Sequence, residues 1–117
     1  MIKKTVFLAL YVTLVLPTSV FANSAKPLMT PSKGVLCDQY ICADKNGVSI
    51  DLTKKYLGDT VANAVSSQGS FDVTEFTFAN GIFCDIKEKA CHINRYFNAD
   101  GTRSAVDPSY TAQLFGH

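Results

Sequence analysis

The sequence predicts a small α+β domain, stapled by disulfides and built from two related units, each a β-hairpin followed by a short helix. Three observations carry this reading. Gly34-Val35-Leu36-Cys37-Asp38 recurs as Gly81-Ile82-Phe83-Cys84-Asp85, at a constant spacing of 47 residues. Each copy then passes through a second cysteine and an Asn-Gly or Asp-Gly dipeptide into a short helical pattern closed by glycine. The chain also opens with an export signal, which delivers its four cysteines to an oxidising compartment where an even count reads as a disulfide framework.

The export signal occupies residues 1–22. Lys3 and Lys4 precede an apolar run from Val6 to Leu16, interrupted only by Thr13 and the hydroxyl of Tyr11; Pro17 ends it, and Val20-Phe21-Ala22 places small residues at −3 and −1. Eleven apolar residues fall short of the roughly 20 that a spanning helix needs. No cysteine follows the cleavage site, which argues against a lipid anchor. Cleavage near Ala22 therefore predicts a bacterial protein that is periplasmic or secreted, with no integral membrane segment left. The remaining 95 of 117 residues carry nine basic and ten acidic side chains, a net charge of −1. Such a balance provides no basic field and excludes nucleic acid as an expected partner.

Along the mature chain, residues 23–33 hold Pro27 and Pro31 among polar residues and read as a flexible leader. A single domain is expected over 34–117, with the doubled segments at 34–58 and 81–116. In the first, a strand ending at Cys37 returns through Cys42, Asn46-Gly47 makes a tight turn, and a helix capped by Ser49 or Asp51 ends at Gly58. Asp59 to Ser67 places Val61, Ala64 and Val65 at helical spacing, with Asp59 as N-cap and Gly69 as terminator. Phe71 to Phe78 reads as a strand whose alternation slips near Glu75, and Asn80-Gly81 as the hairpin turn into the second unit. There Cys84 and Cys91 correspond to Cys37 and Cys42, and Asp100-Gly101 and Ser104 to Asn46-Gly47 and Ser49. A helix capped by Asp107, with Pro108 at its first position, then runs to Gly116. Thr53 to Gly58 matches Thr111 to Gly116, and the second unit is longer by eleven residues in two insertions. Tyr56, Leu57, Tyr110, Leu114 and Phe115 form the apolar faces of helices too short to persist undocked.

Zinc would need closer cysteine spacing or paired histidines, and His92 has only the terminal His117 for company. Redox catalysis favours Cys-x-x-Cys, which neither pair has. Of the three possible connectivities, Cys37–Cys42 with Cys84–Cys91 is favoured. A copied unit closes its own bridge, and both gaps hold an even number of residues. That spacing places each pair directly opposite on two antiparallel strands, centred on Gln39-Tyr40 and on Lys87-Glu88. Loops of this length contribute about 2–2.5 kcal/mol each by chain entropy.

No catalytic constellation emerges, and neither a metal nor a cofactor is expected. Asp38 and Asp85 read as turn residues, His92 as a sheet-edge residue, and the echoes of a calcium loop at Asp44–Gly47 and Asn98–Gly101 as turns, since neither reaches the required Glu. The candidate interaction surface is the stretch from His92 to Arg103, where Arg95, Tyr96 and Arg103 sit in the second unit's insertion. The competing reading has Tyr96 and Phe97 filling the core beneath a long loop.

Gly34 to Ser49, the FTF-NG element at 76–81, the Cys-Asp pairs and RYF-DG-RS at 95–104 resemble the Fels prophage protein-like family, whose chromosomal enterobacterial members are the YcgJ-like proteins. The resemblance covers residues 34–116. It implies export and assigns no activity or catalytic residue. The expected function is thus a non-enzymatic binding or envelope-associated module with a protein partner in the envelope or outside the cell. Two alternatives stand beside it: a small hydrolase using His92 with Asp38 or Asp85, and a purely structural passenger.

Overall fold

The computed structural model describes residues 26–117; the signal peptide expected over 1–22 and the first leader residues lie outside it. The first unit comprises β1 (Met29–Ser32), β2 (Val35–Cys37), β3 (Cys42–Asp44), β4 (Gly47–Val48) and α1 (Ile50–Leu57). A second helix, α2 (Asp59–Ser66), leads to β5 (Glu75–Thr77), β6 (Phe83–Asp85), β7 (Ala90–His92) and α3 (Pro108–Phe115). The strands form two antiparallel sheets, β1-β2-β3-β4 and β5-β6-β7, giving the expected α+β class. Among the described residues, no helix is long and apolar enough to cross a membrane.

Both disulfides close within their own hairpins, as the spacing predicts: Cys37–Cys42 with Cα atoms 4.1 Å apart, and Cys84–Cys91 at 4.0 Å. Each pair sits in direct cross-strand register. At each turn the aspartate after the first cysteine accepts backbone N–H groups two and three residues on. Asp38 Oδ1 takes Tyr40 and Ile41, and Asp85 Oδ1 takes Lys87 and Glu88. These are Asx turns, which explains the Cys-Asp pairing as backbone satisfaction.

The two units share a hydrogen-bond pattern beyond the hairpins. The Cys42 carbonyl accepts from Ser49 N–H, and the Cys91 carbonyl from Asp107 N–H. Those donors are the N-caps of α1 and α3, Ser49 Oγ taking Leu52 N–H and Asp107 Oδ1 taking Tyr110 N–H. One turn further on, Thr53 Oγ1 accepts Cys42 N–H at 3.0 Å and Thr111 Oγ1 accepts Cys91 N–H at 2.9 Å. A buried threonine thus bolts each helix to the second cysteine of its hairpin. Thr111→Val is expected to leave the Cys91 N–H unsatisfied and to cost about 1–3 kcal/mol, with Thr111→Ser retaining most of the stability. Urea midpoints of the two variants check this, and a valine variant as stable as wild type would contradict it.

The same pattern corrects several expectations. Ser49 corresponds to Asp107, not to Ser104, because helix capping rather than turn spacing fixes the match. Met29–Ser32, expected as flexible leader, is a strand: Met29 pairs with Cys37 as Phe76 pairs with Cys84, so the shared pattern starts before Gly34 and Gly81. An edge strand tolerates Pro31, and Leu28 N–H donates to the Tyr110 hydroxyl to hold the approach. From Phe71 to Phe78 only Glu75–Thr77 is strand. Before it, Asp72 Oδ1 captures both the amide and the hydroxyl of Thr74 in a turn. Gly58, not Asp59, is the N-cap of α2, and its buried residues are Ala62 and Val65.

Strand alternation sorts the core. Cys37, Cys42 and Val35 form one face of the first sheet, packed on Leu52, Tyr56 and Leu57 of α1. The opposite face, Leu36, Ala43 and Val48, shares a larger cluster with Phe76, Cys84 and Cys91 of the second sheet, with Ile82 just before β6 and with Leu114 of α3. Helix α3 therefore covers the disulfide of its own unit and the free face of the other. Adjacent carbonyls stitch the sheets together: Val73 O accepts Val48 N–H from the first, and Thr74 O accepts Ile86 N–H from the second.

Candidate functional site

What remains is the outer face of the second sheet, formed by Phe83 and Asp85 on β6 and Ala90 and His92 on β7. Its counterpart in the first sheet is buried by α3. Here the cover is the insertion itself. His92 bridges to Val106 as Ala43 pairs with Val48, so four residues in the first unit become thirteen, 93–105, in the second.

The insertion folds back as an irregular hairpin. Ile93 N–H donates to Ala105 O, Phe97 bridges to Arg103, and the tip closes with Asn98 N–H donating to Thr102 O at 2.7 Å. Buried Ser104 ties the two arms by donating its hydroxyl to Asn94 O. Two side chains then clamp the hairpin to the sheet. His92 is only 2% exposed; its Nδ1 donates to the Ser104 carbonyl at 2.6 Å while Nε2 meets Glu88 Oε1 at 2.8 Å. The Arg103 guanidinium lies 4.6 Å from the Phe83 ring centre and 4.7 Å from that of Phe97. It also reaches Asp85 Oδ2 at 3.5 Å and Glu75 Oε1 at 3.9 Å. Arginine between two ring faces, oriented by carboxylates, gains from both cation–π attraction and the ion pairs.

At the tip, Asp100 Oδ1 accepts both the hydroxyl and the amide of Thr102. First the hydroxyl and then the amide hold its carboxyl below the ordinary carboxylate value of 3.8. Because the folded value is depressed, this support is complete above the ordinary value and is lost as pH falls through the lowered one. The Thr102 amide resonance is thus expected to keep its bonded shift as pH drops through 3.8 and to lose it only below. Loss at or above that value would contradict the turn.

Of the three residues singled out from sequence, Arg103 is a clamp and faces inward. Arg95 and Tyr96 lie on the outside, with the Arg95 guanidinium 5.3 Å from the Tyr96 ring centre. Tyr96 and Phe97 do not fill the core, being 64% and 61% exposed. Ile93 and Val106, which the sequence reading passed over, are also exposed. Among the described residues Arg95 makes no ion pair. His92, expected at a sheet edge, is interior because the bridge to Val106 covers the edge of β7.

The residues of the hydrolase alternative are not assembled. His92 spends both nitrogens on Ser104 and Glu88, and Asp85 serves its own turn and Arg103. Asp38 caps its turn and accepts Ala79 N–H across to the second unit. None of the three holds a hydrogen bond that would pair an imidazole with an aspartate.

A family model described as "YcgJ protein" matches residues 28–115. The chain belongs to the YcgJ family. The match runs from Leu28, beside β1, to Phe115 at the end of α3, so it takes in both stapled hairpins and the whole insertion. The "Uncharacterized protein YcgJ" of Escherichia coli (strain K12) is 49% identical over 94 residues, which cover 80% of this chain and 77% of that protein. No solved structure matches. The YcgJ family resemblance read from the sequence thus holds over nearly the whole described chain.

Proposed function

We propose that this protein is an exported, non-enzymatic binding module of the bacterial envelope, periplasmic or secreted, which engages a protein partner through the insertion between His92 and Val106. One observation carries the reading. The inner side chains of that insertion, Arg103 and Ser104, are committed to closing the second sheet, yet Tyr96 and Phe97 on the same short hairpin stand mostly in solvent. Large aromatics held out on a fastened backbone lose little side-chain freedom on binding, which favours recognition. Two disulfides are compatible with an exported protein.

A photo-activatable phenylalanine analogue placed at Tyr96, and separately at Lys54 on α1, tests the proposal in envelope extracts of the producing bacterium. A defined adduct from position 96 that is absent from position 54, and is lost in Arg95→Ala, is the expected result. Identical adducts from both positions, or none from either, would overturn it. Arg103→Ala should release the clamp, and with it the contact on the Phe97 ring, while leaving Arg95 over Tyr96. Amide exchange within 94–105 is expected to rise while the hairpin Cys37–Cys42 stays unchanged; a rise in both would show that Arg103 supports the whole fold instead.

A further inference from the structure

The two disulfides are alike in sequence but differently housed. Cys84–Cys91 belongs to the ten-residue cluster of buried side chains shared by the two sheets and α3. Cys37–Cys42 shares its cluster of buried residues only with Val35. Its cover is α1, through Leu52, Tyr56 and Leu57, each only partly buried, and α2 packs chiefly on α1. The two helices are thus held as a flap over the hairpin by three half-buried side chains and the Thr53 bolt, the kind of lightly packed element that opens locally before a core does. A groove of about 740 Å³ meanwhile reaches the same hairpin from its turn, walled by Cys37, Asp38, Gln39 and Tyr40.

We propose that Cys37–Cys42 is a reversible thiol–disulfide exchange site for a low-potential dithiol, reached when α1 and α2 lift as a unit, while Cys84–Cys91 remains closed. A thiolate of the dithiol attacks one cysteine sulfur, forms a mixed disulfide and expels the other as thiolate. The second thiol of the reagent, once deprotonated, displaces the first cysteine and leaves as the oxidised reagent. Two electrons pass to the protein, Cys37 and Cys42 become thiols on taking up protons, and the reverse sequence restores the bridge. Both cysteines are fully buried in the closed form, so opening of the flap gates the exchange. Reduction also frees the turn that carries Asp38, whose Oδ2 tethers Ala79 of the second unit, and so changes the wall of the groove.

The test uses the whole mature chain with dithiothreitol as probe, without denaturant, quenched by alkylation and mapped by mass spectrometry. Cys37 and Cys42 are expected to be labelled about tenfold faster than Cys84 and Cys91, or more, because the first needs only local opening. Leu52→Ala, which weakens the flap, should speed labelling of the first pair and leave the second unchanged. Labelling of all four cysteines at a common rate, labelling of Cys84 and Cys91 first, or equal acceleration of both pairs by Leu52→Ala would overturn the proposal.

Discussion

Gly47→Ala is expected to deprive the chain of its native state, with a loss above about 3 kcal/mol from backbone strain and steric overlap together. Gly47 begins β4 at φ +112°, a region that side-chain-bearing residues rarely adopt. A Cβ there would stand 2.2 Å from the Val73 carbonyl oxygen and 3.0 Å from its carbon. That carbonyl accepts Val48 N–H at 3.0 Å, so neither side can retreat without opening the seam between the sheets. Gly34→Ala is the control. It also has positive φ, but nothing lies within 4 Å of its Cβ, and it should cost only about 1 kcal/mol. Circular dichroism and urea unfolding of the two variants make the comparison; equal stability would show that the seam is not rigid.

Replacing Cys84 and Cys91 together by alanine is expected to cost about 2–5 kcal/mol, a large share of what a domain of this size possesses. Two effects add. The closed loop no longer restrains the unfolded chain, and both sulfurs leave the cluster they share with Phe76, Leu36 and Leu114. The same change at Cys37 and Cys42 removes a similar loop constraint but empties only the small cluster under α1, so its cost should be smaller. Thermal unfolding of the two double variants checks the order. A first-unit variant less stable than the second would mean that α1 and α2 carry more of the core than their packing indicates.

The disulfide pairing was legible because an even gap and a copied phrase constrain geometry directly, and the cap at Asp107 was legible because capping is local chemistry, which also narrowed the first cap to Ser49 or Asp51. Strand β1 was not. Met29-Thr30-Pro31-Ser32 carries no alternation, and it becomes a strand only because β2 offers it an edge. The slip in Phe71 to Phe78 is visible in the sequence, but the alternation alone does not show that a turn held by Asp72 and Thr74 takes the place of strand before Glu75. Deeper still lay the asymmetry between the units. Leu36 and Ala43 meet α3, whereas their equivalents Phe83 and His92 have no helix to meet and are covered by a thirteen-residue segment that replaces four in the first unit. No local pattern announces which copy must supply its own cover. The exposed Ile93, the clamp on Glu75 and the interior place of His92 all follow from that tertiary fact.

The insertion therefore has two jobs that the sequence could not separate. Its inward residues complete a core, and its outward ones, Arg95, Tyr96 and Phe97, present a fixed aromatic surface. The binding role we propose for it would use this arrangement, since loops carry recognition while the frame holds them still.

Proteolytic peptide mapping of unreduced protein taken from its native compartment tests the shared frame most directly. Peptides joined through Cys37–Cys42 and through Cys84–Cys91, with no free thiol, are the expected result. A bridge between Cys42 and Cys84 would contradict the separate closure of the two units on which the packing, the insertion and the exposed surface depend.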